Sequence, residues 1–417
     1  MNMKSFFYLG LWAVCFLLTC PNGMAQRTCG TMEAWQNQIA KDPNVVHRKA
    51  VIENEMQAWI AEHGSQKTNA VITIPVVVHV VYNTTAENIS DAQIQSQIDV
   101  LNKDFRKQNT DASSVPSAFA SLAADCEIQF CLADRDPNGN PTTGITRTST
   151  SKTSFSQSAE DVKSSSTGGK DPWDTDKYLN MWVCNLSGGL LGYAQFPGGG
   201  ASTDGVVMLY TAFGTMGSAT APYNKGRTTT HEVGHYLNLY HIWGDEPSCD
   251  QDDEVSDTPL QGDKNFGCPT FPLTDSCQTS SPGVMFMNYM DYVDDACMYM
   301  FTAGQKARMH AAINTSRAGL KTSNGCSSTS IQELALLDSQ VMLYPNPVTD
   351  MVQIQSEKPL KNVTLKIYDY TGKICYQSYE KTLSAFTLDL HNYTEGIYFV
   401  HLLSDEGFST KKLIVQK

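Results

Sequence analysis

The sequence predicts two folded parts, an α/β domain with a mixed, mostly parallel twisted sheet and a small all-β sandwich of immunoglobulin-like type behind it. Up to about residue 327, short β-branched apolar runs alternate with segments of helical periodicity, which is typical of strands and crossover helices. From residue 328 onward, short segments of period two alternate with turn signals such as Tyr370-Thr-Gly372, and this indicates roughly seven strands of a sandwich.

The first 25 residues are predicted to be a signal peptide. The apolar run from Phe6 to Leu18 follows a basic residue, and the small residue Ala25 suits cleavage before Gln26. A lipoprotein cut before Cys20 is an alternative that the preceding Thr19 disfavours. The run is shorter than the ~20 residues of a membrane span, and no second apolar span follows, so we expect no stable membrane anchor.

The elements of the α/β part are predicted from periodicity and from cap residues. Asp91 is interpreted as the cap of a helix, and the Ser/Thr/Gly-rich stretch 149–170 is interpreted as a surface loop. The remaining elements are a helix with apolar positions Val51, Met56, Trp59 and Ile60, a helix with Ile94, Ile98, Leu101 and Phe105, and strands at 73–81, 127–133, 178–185 and 204–210.

Charge and composition restrict the classes of partner. The formal net charge is -13, and no Lys/Arg-rich run is present, so a nucleic-acid partner is not expected. A predicted exported chain with twelve cysteines can hold disulfides. Four of the cysteines lie close together in sequence and leave three possible pairings: Cys249, Cys268, Cys277 and Cys297.

The stretch from Thr228 to His241 predicts a zinc site. His231 and His235 are one helical turn apart, so both imidazoles leave the same face of a helix and can hold one metal ion. Glu232 is placed to take a proton from a water molecule beside that metal. His241 is the third expected ligand. Three solvated or core histidines would be the non-functional interpretation, which three of nine histidines within eleven residues disfavours.

A sharp turn must bring His241 back to the metal, because a straight helix would carry it to the wrong side. The turn is expected at Asn238, where asparagine is the second choice after glycine for a left-handed conformation. The hydroxyls of Thr228, Thr229 and Thr230 are expected to cap the start of the helix.

On His231-Glu-Val-Gly-His-Tyr-Leu-Asn-Leu-Tyr-His241, the chain resembles the metzincin clan and, within it, the pappalysin family of metallopeptidases. Met287-Asn-Tyr-Met-Asp-Tyr292 resembles the Met-turn of this family. The resemblance implies that Met290 lies beneath the zinc and that Tyr292 stabilises the tetrahedral intermediate. Arg27-Thr-Cys-Gly30 resembles the latency switch of the family, which implies that the Cys29 thiolate binds the zinc of a zymogen.

The resemblance also implies structural elements below the zinc. In the acidic stretch 249–259, Asp253, Asp257 and Thr258 are the candidate ligands of a calcium ion. The implied disulfides join Cys249 to Cys277 and Cys268 to Cys297. A solvated acidic loop is the alternative for the calcium site.

Substrate preference is the finest implication. The resemblance places Asp295 at the floor of the primed-side pocket, where a carboxylate selects cleavage before Arg or Lys, whereas a surface aspartate is the alternative. The tail, with Leu343-Tyr-Pro-Asn-Pro347 and Lys411-Lys-Leu-Ile-Val-Gln-Lys417, resembles the sorting domain of type IX secretion. That resemblance implies export through the periplasm to the cell surface or medium by the type IX machinery.

The sequence therefore predicts a secreted zinc endopeptidase that acts on proteins and is made as a latent zymogen. Two other classes remain open, a non-catalytic zinc-binding adhesin and a metal-dependent hydrolase of non-peptide substrates. The expected segments are a signal peptide at 1–25, a propeptide at 26–48, a catalytic domain at 49–327 and a sorting domain at 328–417. The stretch from Leu190 to Ala194 is the candidate strand for binding extended substrates, and Arg48 and Lys49 suit self-cleavage of the propeptide.

Overall fold

The chain divides into two units, one that ends at Cys326 and one that follows it. The structure is a computed structural model that describes residues 26–64, 70–326, 335–337 and 340–417. The predicted signal peptide at 1–25 lies outside these residues. Among the helices of the described ranges, none is long and apolar enough to cross a membrane.

The first unit contains alternating helices and strands. Its helices are α1 Thr31–Lys41, α2 Asn44–His63, α3 Asp91–Phe105, α4 Arg227–Tyr236 and α5 Ala303–Asn314. Its strands are β1 Ile72–Tyr82, β2 Ile128–Leu132, β3 Ile145–Ser149, β4 Leu179–Cys184, β5 Gly192–Ala194 and β6 Val206–Leu209. Short 3-10 helices lie at Ala112–Ser114, Asp161–Lys163, Ser165–Thr167, Ala201–Thr203, Tyr210–Ala212, Asp295–Cys297 and Ala318–Thr322.

The sheet of this unit runs in the order β2-β1-β4-β6-β5, and β3 also pairs with β1. Every pairing is parallel except that of β5 with β6, so the predicted mixed, mostly parallel sheet is confirmed. β1 lies centrally and is buried over eight consecutive residues, as its continuous β-branched apolar run predicts. The antiparallel strand β5 forms the edge that borders the candidate site.

The helices differ from the prediction at two caps. The cap of α3 is Ser90, whose hydroxyl accepts a hydrogen bond from the Gln93 amide, while Asp91 is the first helical residue. Helix α4 begins after Gly226 in a left-handed conformation with φ 75°, and no side chain caps it. The expectation that Thr228, Thr229 and Thr230 cap α4 is therefore wrong, because their hydroxyls lie one to three positions inside the helix.

The second unit is an all-β structure with a core of its own. Its strands are β7 Ala335–Leu336, β8 Val341–Tyr344, β9 Met351–Asp369, β10 Ile374–Asp389, β11 Gly396–Ser404 and β12 Gly407–Val415. The described residues thus form six strands instead of about seven, because β9 and β10 are long paired strands with register irregularities instead of several short ones. The buried faces of these strands supply alternating side chains, for example Val363, Leu365 and Ile367.

Candidate metal centre

Helix α4 carries the first half of the zinc motif. His231 and His235 lie one turn apart and are fully buried, as is Glu232 between them. Met290 lies directly against this helix, since a Cβ added at Gly234 would be 2.5 Å from the Met290 Sδ atom. A glycine at 234 thus allows the close contact between α4 and the segment around Met290.

The chain reverses after α4 and returns His241 to the same place. Asn238 adopts a left-handed conformation with φ 71°, and the amide of Leu239 donates to the Gly234 carbonyl at 2.9 Å. The structure therefore has the turn at the position that the sequence predicts.

The three imidazoles converge through their Nε2 atoms. The Nε2 distances are 3.1 Å between His231 and His235, 3.0 Å between His235 and His241, and 3.2 Å between His231 and His241. Nitrogens about 2.0–2.1 Å from a tetrahedral zinc ion lie roughly 3.3 Å apart. The described residues thus fit one zinc ion.

The hydrogen bonds of the Nδ1 atoms fix the orientation and the tautomer of the imidazole rings. His231 Nδ1 donates to the Tyr289 carbonyl at 2.7 Å, and His235 Nδ1 donates to the Leu239 carbonyl at 2.8 Å. His241 Nδ1 instead contacts the carboxylate of Asp245. Because these contacts require a proton on Nδ1, the Nε2 lone pairs are left for a metal. Burial also lowers the pKa of His231 and His235 well below the ordinary value, which favours the neutral ligand form.

Cys29 completes a cluster of four buried ligand residues. Its Sγ and the three imidazole nitrogens all lie within 4.8 Å of one another. The thiol is also 3.5 Å from Glu232 Oε2, which accepts a hydrogen bond from the Thr31 hydroxyl at 2.9 Å. Burial raises the pKa of Cys29 well above its usual value in the absence of a cation, and a bound zinc ion would reverse this by favouring the thiolate.

Glu232 has one occupied and one unpartnered carboxylate oxygen. Oε2 receives the Thr31 hydroxyl, and Oε1 has no hydrogen-bond partner. Burial raises the pKa of Glu232 to about 7. A carboxyl group with this pKa exchanges protons near neutral pH, which is the property that a general base or acid needs.

The segment around Cys29 pairs with strand β5 through an isolated parallel bridge between Cys29 and Gly192. The Leu191 amide donates to the Thr28 carbonyl at 3.0 Å, and the Gly30 amide donates to the Gly192 carbonyl at 2.9 Å. The candidate substrate-binding strand is therefore occupied by the N-terminal segment of the chain itself. Tyr292 also faces this segment, because its hydroxyl lies 3.4 Å from the Cys29 carbonyl oxygen.

Asp295 is fully buried and is paired with a basic residue of the same segment. Arg27 Nη2 lies 2.5 Å from Asp295 Oδ1, and the guanidinium also donates to the Val293 carbonyl at 3.1 Å and to the Thr228 hydroxyl at 3.1 Å. The other oxygen of Asp295 accepts from the Lys225 amide at 2.8 Å. Asp295 is thus not a surface aspartate but a buried carboxylate that is paired with a guanidinium.

The three calcium candidates have different hydrogen-bond partners. The Thr258 hydroxyl is 2.7 Å from Asp253 Oδ1, while the buried Asp253 Oδ2 has no partner. Asp257 instead binds the start of α5, where Oδ1 accepts from the Thr302 hydroxyl at 2.7 Å and Oδ2 accepts from the Gly304 amide at 2.8 Å. In the described ranges, the only group of three or more His, Cys, Asp and Glu residues arranged for a metal is the Cys29 and histidine cluster.

The described part of the first unit contains three disulfides. Cys249 pairs with Cys277 and Cys268 with Cys297, which are the pairings that the resemblance implies. The sequence assigns no role to Cys126, Cys131, Cys184 and Cys375, and buried free thiols are the default expectation for them. The third disulfide, Cys131–Cys326, contradicts that expectation for Cys131. Its partners are 195 residues apart in sequence, so no local spacing indicates the pairing. Cys126 and Cys184 are buried free thiols as expected, whereas Cys375 is exposed.

Two residues of the site have no predicted role. Arg27 lies in the Arg27-Thr-Cys-Gly30 motif. Because Asp295 is expected to select basic side chains of substrates, the basic side chain of Arg27 is a signal that it could bind Asp295. Asp245 follows His241 by four residues, but no spacing rule distinguishes it from the neighbouring acidic residues.

The chain is similar to known proteins over most of its length. Residues 163–314 match the family described as pregnancy-associated plasma protein-A, and residues 342–416 match the secretion system C-terminal sorting domain. An extracellular metalloprotease of Arthroderma benhamiae is 32% identical over 302 residues, which are 71% of this chain and 93% of that protein.

Solved structures from Tannerella forsythia are more similar in sequence. A promirolysin mutant is 52% identical with a TM-score of 0.66 and covers 72% of this chain and 98% of its own. Mature mirolysin in complex with a cleaved peptide is 58% identical with a TM-score of 0.60 and covers 61% of this chain and 97% of its own.

These similarities confirm the metzincin-like fold and the metalloendopeptidase activity that the sequence predicts. The match to a sorting domain and the extracellular relatives also confirm that the protein is secreted or displayed at the cell surface. This chain covers 93% of the length of relatives that are 32% and 33% identical to it. The chain therefore belongs to the pregnancy-associated plasma protein-A family of metalloendopeptidases, the pappalysins.

Proposed function

We propose that this protein is a zinc endopeptidase that is kept latent by its own N-terminal segment and that cleaves proteins before Arg or Lys. The observation that carries the proposal is the convergence of three imidazole nitrogens and the Cys29 thiol within 4.8 Å of one another, beside a carboxyl group that is not a ligand of the same set. His231, His235 and His241 would hold the zinc ion, which supplies Lewis-acid chemistry when bound.

Glu232 acts as the general base of the proposed reaction. Its Oε1 takes a proton from the attacking water molecule and then delivers it to the leaving amine, a role that its raised pKa of about 7 favours. The Tyr292 hydroxyl donates to the Cys29 carbonyl in the latent chain. Once the segment of Cys29 has been removed, this hydroxyl is free to donate to the oxyanion. Met290 packs against α4 at Gly234 and so sets how closely the helix approaches the segment around Met290.

Latency follows from three contacts of one short segment. Cys29 would be the fourth ligand of a bound zinc ion, the Thr31 hydroxyl donates to an oxygen of Glu232, and residues 28–30 cover β5. A substrate needs all three places, so the segment excludes it. The similarity of this chain to a promirolysin as well as to a mature mirolysin supports a zymogen here.

The preference for Arg or Lys rests on the pocket of Asp295. The latent chain places the Arg27 guanidinium there, with a charge pair at 2.5 Å and two further hydrogen bonds. A pocket that is complementary to a guanidinium also accepts the basic side chain of a substrate once Arg27 has left.

The proposed processing and export follow the same order along the chain. Residues 1–25 are removed as a signal peptide, and the type IX machinery recognises the sorting domain after residue 328. The propeptide 26–48 is removed at Arg48 or Lys49. This bond lies in the first turns of α2, so α2 must open there before cleavage.

Calcium is proposed to stabilise the acidic loop below the zinc. The support is the buried Asp253 Oδ2, which has no partner, together with the Asp253 pKa, which burial raises to about 7. A calcium ion there would restore the charged form, with Thr258 as a neighbouring oxygen ligand. Asp257 is left out of this set because both of its oxygens bind the start of α5.

A digest of a peptide library tests the proposal. Purified mature protein should cleave before Arg or Lys, and a zinc chelator or the Glu232→Ala substitution should abolish cleavage. Asp295→Asn should reduce the preference for basic residues while cleavage itself continues. Full peptide hydrolysis by the Glu232→Ala variant would contradict the mechanism, and random residues after the cut site would contradict the role of Asp295.

A further inference from the structure

The turn that returns His241 to the metal uses an asparagine in a conformation that glycine adopts more easily. Asn238 has φ 71° and is fully buried. A buried amide side chain needs partners for its oxygen and its nitrogen. In this turn the partners come from helix α2, about 185 residues earlier in the chain.

Both ends of the Asn238 amide are bound by α2. Its Oδ1 accepts a hydrogen bond from the Lys49 ammonium group, and its Nδ2 donates to Glu53 Oε2 at 3.1 Å. The backbone carbonyl of the same residue accepts from Arg308 Nε at 2.9 Å. The side chain and the main chain of the turn are therefore both held from outside the turn.

The residues that hold the turn are themselves fixed. Arg308 makes a two-pronged contact with Glu53, at 2.6 Å and 2.8 Å, and the Arg308 side chain is 1% exposed. The Lys49 ammonium group lies over the rings of Phe196 and Tyr240, at 4.7 Å and 4.8 Å from their centroids.

The same set of residues reaches a second zinc ligand. The ring of Phe196, on which Lys49 lies, packs edge-on against His235 with 5.5 Å between centroids. Lys49 thus borders the metal site through Asn238 on one side and through Phe196 on the other.

We propose that α2 clamps the active-site turn, with Lys49 and Glu53 as positioning residues that hold Asn238 and thereby the third ligand, His241. The proposal rests on the zinc site of the proposed function and extends it to residues outside the zinc motif. The clamp substitutes for the conformational freedom that a glycine would provide at position 238. The two N-terminal elements thus act differently, because α2 supports the metal site while the segment of Cys29 blocks it.

The test is a double-mutant cycle in the full-length latent protein. Lys49→Met and Glu53→Gln are each made with Asn238 and with Asn238→Gly, and zinc is titrated away with a competing chelator. With Asn238 present, each substitution should weaken zinc binding by about tenfold. In the Asn238→Gly background, the effect of Lys49→Met should be much smaller, because no amide oxygen remains for the ammonium group to bind and only the contact through Phe196 is lost.

Glu55→Gln is the matched control, since Glu55 is an exposed residue of the same helix. It should leave zinc binding unchanged in both backgrounds. Equal losses from Lys49→Met with and without the Asn238→Gly substitution, or no loss in either background, would overturn the clamp.

The thermal unfolding of the same variants separates the two proposals. If the unsubstituted protein binds no zinc, the proposed function fails, but the cycle can still be read from unfolding midpoints. In that case Lys49→Met should lower the unfolding midpoint more with Asn238 than with glycine at position 238. Equal shifts in both backgrounds would again reject the clamp.

Discussion

The two halves of the zinc motif are held by different means. His231 and His235 are placed by one turn of a continuous helix, and their Nδ1 atoms donate to backbone carbonyls. His241 contacts the Asp245 carboxylate, and it follows a turn whose left-handed residue, Asn238, is bound by side chains of α2 and α5. Local helix geometry thus places His231 and His235, although His231 also uses the Tyr289 carbonyl 58 residues away, whereas the backbone of the turn half is held by long-range contacts to Asn238.

This difference implies a division of labour. The helical half carries the proposed base, Glu232, at a fixed distance from two ligands. The turn half supplies one ligand, His241, and its position depends on side chains outside the zinc motif. Apart from the ligands His231 and His235 themselves, substitutions in the helical half should therefore change chemistry or folding. Substitutions in the turn half should change the affinity for the metal.

The largest expected effect is in the helical half. Glu232→Gln should lower peptide hydrolysis by roughly 10²–10⁴-fold, because general-base catalysis contributes that much. The zinc content should remain one per chain, since the glutamine keeps the shape of the side chain. The variant, matured by added wild-type enzyme that is then removed, is assayed for hydrolysis and for bound metal. Loss of zinc together with activity would contradict the division of labour.

The turn half should show the opposite pattern. Asp245→Asn removes the charge that faces His241 Nδ1 and should weaken zinc binding by about 10–100-fold, the usual cost of losing such a partner. Activity should return when excess zinc is added, because Glu232 is untouched. Competition with a chelator measures the affinity.

An Asp250→Asn variant serves as the control for Asp245→Asn, since Asp250 is an exposed acidic residue of the same loop. It should bind zinc as the parent does. Activity of Asp245→Asn that excess zinc fails to restore would place Asp245 in the chemistry instead.

The same division explains what the sequence predicts. Helical periodicity alone places His231, Glu232 and His235, and residue type alone indicates the turn at Asn238. Helix α1 and strand β3 escape prediction because α1 is largely polar and β3 is half-exposed, with no clear apolar period. Lys49, Asp245 and the Cys131–Cys326 disulfide escape because their partners are chosen by the packed fold, not by spacing.

A smaller effect is expected where the helical half packs on its floor. Gly234→Ala places a methyl group 2.5 Å from the Met290 sulfur, so one of the two must move. Overpacking of this kind costs about 1–3 kcal/mol in the free energy of unfolding. The loss in a Gly234→Ala, Met290→Ala double variant should be smaller than the sum of the two single losses, because the shorter side chain makes room for the methyl group. Chemical denaturation of the three variants measures this. Additive losses would show that the methyl group strains something other than Met290.

The smallest expected effect concerns the loop that follows the turn half. Burial raises the pKa of Asp253 to about 7, above its unfolded value near 3.8, so its contribution to stability is present at low pH and is lost as pH rises through 7. Without calcium, unfolding free energy should fall by about 1 kcal/mol between pH 6 and pH 7 from this group. Asp253→Asn should remove that part of the pH dependence, and calcium should remove it in the parent by stabilising the carboxylate. If the pH profile of Asp253→Asn is identical to that of the parent, the loop holds the Asp253 carboxylate in its charged form without a cation. The loop that follows the turn half then needs no calcium ion.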